Sequence, residues 1–158
     1  MNTLYIAPIK KEIVVDAPQE LAFKVFTGKM DGWWPRTHHI GKAPVTEFVL
    51  EPGINGRWYS THEDGSEANV GKVLVWEPYD RLVLAWQING DFKFDQHLIT
   101  EVELHFIQEG PSKTRIRFEH RNLERLGGGK AIESMDKGWG QILELYKQLV
   151  NRAENNNS

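Results

Sequence analysis

The sequence predicts an α+β domain in which a curved antiparallel sheet of about seven strands wraps around one long C-terminal helix, with two short helices after the first strand. Three observations carry this reading. Ile132, Met135, Trp139, Ile142, Leu143, Tyr146, Leu149 and Val150 recur at helical spacing and, at about 100° per residue, share one arc roughly 120° wide. From Val45 to His120 the hydrophobic period drops to two. Turn signals at Pro52-Gly53, Glu63-Asp64-Gly65, Glu77-Pro78-Tyr79-Asp80, Asn89-Gly90-Asp91 and Glu109-Gly110-Pro111 cut that stretch into strand-length pieces.

In chain order, the β-branched run Ile9–Val15 reads as a strand closed by Asp16-Ala17-Pro18. A helix of about ten residues follows, capped by Asp16 or Ala17, with Pro18 in its first turn and Gly28 as a left-handed cap at its end. The Gly- and Pro-rich segment from Met30 to Pro44 carries adjacent indoles, Trp33 and Trp34; they either fold over an opening as a lid or plug the core edge. Val70–Trp76, apolar on both parities apart from Lys72, is expected to be a central strand. Val102, Leu104 and Phe106 form a hairpin with Ile116, Phe118 and His120 across the Gly110-Pro111 turn. Gly127 to Gly129 turn the chain into the last helix, where Gly138 and Gly140 flank Trp139 and mark either a close approach or mere tolerance of small residues. That helix, nearly 30 Å long at about 1.5 Å per residue, needs a broad sheet to bury its stripe. One domain over 1–153 and a frayed tail at 154–158 account for the chain.

Composition excludes several classes. With 158 residues, net charge −3 and scattered Lys and Arg, nothing favours nucleic acid or an anionic membrane. There is no cysteine, hence no disulfide framework or thiolate chemistry, and no secretory signal or membrane-spanning run, which points to the cytoplasm. The six histidines show no strand or helix spacing suited to a metal, so neither metal nor cofactor is expected. Ser60, His62 and Asp64 tempt one toward a nucleophilic triad, but steps of about 7 Å along a strand argue against a hydrogen-bonded relay. Catalytic residues are therefore expected to be absent. Gly127-Gly-Gly129 lacks the sequel of a phosphate loop and reads as a hinge.

The stretch Ile13-Val-Val-Asp-Ala-Pro18, the Trp33-Trp34 pair, Gly71-Lys-Val-Leu-Val-Trp-Glu-Pro-Tyr-Asp-Arg-Leu82 ending on Trp86, Thr114-Arg-Ile-Arg-Phe-Glu-His120, and Gly138-Trp139 with Leu143 and Leu149 together resemble a known pattern. It is that of the START-like, or pollen-allergen-like, helix-grip superfamily (SRPBCC), and within it the family similar to the activator of the heat-shock-protein-90 ATPase. The resemblance implies a helix-grip fold and a cavity for lipids, hormones or polyketides; some members act as cyclases or hydroxylase subunits. The activator proteins look like a related domain joined to a separate chaperone-binding domain that has no counterpart in this sequence, which ranks a chaperone contact last.

The expected function is binding or carriage of a small apolar molecule between sheet and last helix. Trp34, Trp58, Trp86, Phe118, Trp139 and Tyr146 are the expected walls, and His62 and His120 the expected polar handles. Each histidine has a bland alternative, satisfaction at a strand end, and each indole another, ordinary core packing. A cyclase- or dehydratase-like enzyme using one His or Tyr as acid or base is the alternative from a different class.

Overall fold

The structure is a computed structural model, and it describes residues 6–126 and 129–156. Its strands are β1 (Ile9–Val15), β2 (Val45–Leu50), β3 (Arg57–His62), β4 (Glu67–Glu77), β5 (Arg81–Trp86), β6 (Thr100–Gly110) and β7 (Lys113–Arg121); its α-helices are α1 (Gln19–Gly28) and α2 (Gly129–Asn156). The second short helix is a single 3₁₀ turn, Met30–Gly32, and another 3₁₀ turn, Leu123–Leu126, precedes α2. All strands join one antiparallel sheet in the order β1-β7-β6-β5-β4-β3-β2. The α+β helix-grip architecture expected from the sequence is what the chain adopts.

Alternation decides which face is buried. Along β7, Thr114, Ile116, Phe118 and His120 are buried, and along β3, Trp58, Ser60 and His62. On α2, Trp139, Ile142, Leu143, Tyr146 and Val150 are buried against that concave face, with Met135, Ile132 and Leu149 at its margins. β4 is an interior strand, as expected, paired with β3 and β5; its neighbour β5 departs from one-sided burial, since Leu82 to Ala85 are all buried, Val83 and Ala85 facing outward between Glu103 and Glu101 of β6 and the neighbouring β4.

Both ends of α1 correct the sequence reading. Neither Asp16 nor Ala17 caps it; Pro18 is the cap residue and supplies no side-chain bond. The Gln19 N–H donates instead to Gln108 Oε1 of β6 at 2.8 Å, and the Asp16 N–H to Asn151 Oδ1 of α2 at 2.8 Å. A partner on a distant strand wins over a local cap because the helix start is docked beside the end of β6. Gly28 is the last helical residue and not left-handed; the chain leaves through Lys29, whose N–H closes on Val25 O. At the other end of the chain the α2 backbone continues to Asn156, into the stretch expected to fray, while residues 157 and 158 lie outside the described residues, as do 127 and 128 of the expected glycine hinge.

Candidate functional site

Half of the space between sheet and helix is solid. Phe23, Phe26, Phe106 and Tyr146 meet edge to face at centroid distances of 5.3 to 6.2 Å. The Tyr146 hydroxyl donates to Ala22 O at 2.6 Å, tying α2 to α1. Tyr146 is therefore a core strut and not a cavity wall, and Phe118, stacked on Trp139 at 4.6 Å, also lies behind the cavity surface.

The other half is open. A cavity of about 310 Å³ lies between β2–β5 and the first turns of α2. Phe48, Trp58, Ser60, Val70 and Trp86 line it from the sheet, Ile88 and Phe92 from the β5–β6 loop, Ser134, Met135, Gly138, Trp139 and Ile142 from α2, and Trp34 and Thr37 to Ile40 from the segment after the 3₁₀ turn. Four of the expected wall residues, Trp34, Trp58, Trp86 and Trp139, form a closed cycle of indoles with successive centroids 5.6 to 5.7 Å apart. Three of their N–H groups are taken up by protein acceptors: Trp34 Nε1 donates to His38 O, Trp86 Nε1 to Ile88 O and Trp139 Nε1 to His120 Nδ1. Those three rings thus present mainly carbon to the cavity. Trp33 is not part of the wall; it packs on Phe26 and Tyr146 and donates to Val25 O.

Gly138 lines the cavity, but neither α2 glycine marks a tight approach. A Cβ at Gly138 would meet His38 at 3.9 Å, and one at Gly140 would meet Lys11 at 3.9 Å, ordinary contact distances. Phe92 stands at the mouth, 59% exposed, on a backbone with φ of 59°.

The two expected polar handles have other duties. His120 is fully buried in β7, and its partners fix its tautomer. An indole N–H only donates, so Nδ1 is bare; Nε2–H then donates to Thr100 Oγ1 at 2.8 Å, and Thr100 Oγ1–H to Trp86 O at 3.1 Å. Burial holds its pKa down to about 3. This neutral imidazole braces Trp139 from behind and does not line the cavity.

His62 is likewise buried and absent from the lining, yet it overturns the expectation that Ser60 and His62 stand too far apart to bond. Ser60 Oγ lies 2.9 Å from His62 Nε2, and His62 Nδ1 lies 2.8 Å from Ala43 O. The expected step of about 7 Å is a Cα spacing; the imidazole leans along the strand and spans most of it. Asp64 takes no part, since its carboxylate accepts from the Ser66 N–H and hydroxyl within the turn. The orienting acceptor is a backbone carbonyl from the loop before β2. Sequence reading gave His39 no role: its ring lies 5.3 Å from that of His62, and its Nδ1 is buried with no hydrogen-bond partner.

One glycine makes the His62 position possible. A Cβ on Gly41 would lie 2.4 Å from His62 Cε1 and 2.6 Å from Nε2. Gly41→Ala is therefore expected to push the imidazole off Ala43 and Ser60 and to cost about 1–3 kcal/mol. Long-range ¹H–¹⁵N spectra of the ring read the tautomer directly, and an unchanged His62 signal with an unchanged Tm would contradict this packing.

Among the described residues, no three His, Asp or Glu side chains converge as a metal-ligand set, and no helix is long and apolar enough to cross a membrane.

Comparison with solved structures places the geometry among relatives. The chain is 32% identical to an anthrahydroquino-γ-pyrone synthase, Txn09, with a TM-score of 0.67, covering 91% of this chain and 97% of that one. It is 29% identical to the self-sacrificing resistance protein CalC of Micromonospora echinospora, with a TM-score of 0.71 over 93% of this chain and 96% of that one. The Aha1 dimer from Colwellia psychrerythraea shares the fold at 14% identity, with a TM-score of 0.67 over 92% and 97% of the two chains. No curated protein sequence matches. The family described as activator of Hsp90 ATPase homolog 1-like protein matches residues 16–151, so that the chain, by sequence and by fold, belongs to that family.

Proposed function

We propose that the protein binds a small, largely apolar, ring-bearing molecule in the cavity between β2–β5 and α2. The carrying observation is the cycle of four indoles walling an open 310 Å³ space beside a half-core that is solid. Indoles have few rotors and flat faces, so they bury a planar guest at low entropic cost. The volume is at the lower end of the range for small-molecule sites. Similarity to an anthrahydroquino-γ-pyrone synthase and to a self-sacrificing resistance protein supports the same reading. Cytoplasmic placement belongs to this proposal.

Trp34, Trp58, Trp86 and Trp139 surround the guest, so binding is expected to quench tryptophan emission. A panel of fatty acids, sterols and polycyclic phenols tests it. A guest at about 100 times its Kd adds about 2.7 kcal/mol of stability, a rise in Tm of roughly 5–10 °C for a chain of this size. Unchanged emission and melting across the panel would refute the proposal.

A second reading, a cyclase- or dehydratase-like enzyme on such a molecule, is favoured by Ser60 at the cavity wall and its hydrogen bond with His62 behind it. Turnover of a bound polyketide-like substrate, lost in Ser60→Ala, separates it from carriage alone. The family's description keeps a chaperone contact as a third proposal, tested by pull-down with the chaperone's middle domain.

A further inference from the structure

The cavity wall is mostly apolar, and at the end where Ser60 stands it has a defined hydrogen-bond sense. A carbonyl oxygen only accepts, so the 2.8 Å contact to Ala43 O places the proton of neutral His62 on Nδ1. Nε2 is then bare, and the Ser60 hydroxyl 2.9 Å away must give it its proton. Ser60 lines the cavity with that proton already committed. What its oxygen shows to a guest is lone pairs alone. Ser60, usually able to give or take, is fixed here as an acceptor.

Resting on the proposed binding site, we propose that Ser60 is a specificity-determining residue that selects guests carrying a hydroxyl, such as phenols, over otherwise identical ethers or ketones. A phenolic O–H seated at this end donates to Ser60 Oγ. An ether or ketone oxygen offers only lone pairs to lone pairs, and so leaves Ser60 unmatched in a dry wall, where unmatched polar groups are costly. The discrimination depends on His62, since it is His62 that takes up the serine proton, and on Ala43 O, which sets the His62 tautomer.

The experiment uses three probes of one ring system: 2-naphthol, 2-methoxynaphthalene and naphthalene, titrated by calorimetry at neutral pH into the wild-type protein and Ser60→Ala. One net hydrogen bond predicts that wild type holds 2-naphthol about tenfold more tightly than 2-methoxynaphthalene. In Ser60→Ala the naphthol advantage should vanish while naphthalene binds as before. Equal or tighter binding of the methoxy compound by wild type overturns the inference, and so does a Ser60→Ala protein that weakens all three probes alike. Those outcomes leave the binding site standing. If none of the three binds, the proposed function itself fails and this inference goes with it. The wild-type series stands on its own, so the test does not depend on how well the variant folds.

Discussion

Gly71→Ala is expected to lower the melting temperature by about 10 °C or more, the loss of roughly 3 kcal/mol or more that follows when a new atom cannot be accommodated in a packed interior. Gly71 pairs with Trp58 on β3 and with Trp86 on β5. A Cβ there would lie 1.7 Å from Ala85 O and 2.8 Å from Ala85 C, inside the backbone of the adjoining strand. Nothing flexible can yield; the β4–β5 ladder itself must part. Because the indoles of Trp58 and Trp86, its cross-strand neighbours, belong to the cavity wall, ligand binding should fall with stability. Gly28→Ala supplies the control. That glycine is helical, without positive φ and with open space around it, so alanine should be neutral or stabilise slightly. Thermal and urea denaturation of the two variants decide the matter; a Gly71→Ala protein that melts within two or three degrees of wild type would show that the strand spacing is looser than described.

The contrast between these glycines shows where sequence reading reaches its limit. Periodicity located β1, α1 and the buried stripe of α2 to within a residue or two, because burial of one face is a local pattern repeated along each element. Gly28, predicted to be special, is ordinary. Gly71, read only as part of a family motif, and Gly41, not singled out at all, are among the positions with no room for a side chain. Their constraint comes from Ala85 and His62, residues distant in sequence. The cap of α1 tells the same story, since Gln108 does the work expected of Asp16.

At the site, residue type foretold the indole walls but not the polar geometry. Trp34, Trp58, Trp86 and Trp139 are large and apolar, and alternation sends the strand pair inward. The histidines were harder, because a histidine's role is set by what its two nitrogens touch. His120 finds Trp139 and Thr100 and is spent. His62 finds Ala43 O and Ser60, and so makes a neighbouring serine the group that meets a guest. Comparing Cα positions and ignoring side-chain reach hid the Ser60–His62 hydrogen bond, whose serine lines the cavity.

His120 also predicts an acid weakness of the fold. Its folded pKa of about 3 lies below the ordinary 6.5, so the unfolded chain takes up a proton that the folded protein refuses. Its stabilising contribution is complete above pH 6.5 and is lost as the pH falls toward 3. The slope is about 1.4 kcal/mol per pH unit from this one group. Glu103 acts lower down. Burial alone would raise it, but hydrogen bonds from Arg121 and Arg81 outweigh that and hold it at about 2 against an ordinary 4.5, so its contribution is lost only between pH 4.5 and 2. The window from pH 6.5 to 4.5 therefore isolates His120, and urea denaturation across it should show a loss of about 2–3 kcal/mol. His120→Gln offers an acceptor to Trp139 and a donor to Thr100 without titrating. It should be less stable at pH 7 by about 1–3 kcal/mol, from imperfect shape, yet flat across the same window. A wild-type protein with no slope there, or a glutamine variant that keeps it, would remove His120 as the cause. The loss reaches the cavity as well, since a protonated Nδ1–H would face the Trp139 indole N–H, donor against donor, and release the ring that closes the cycle of four.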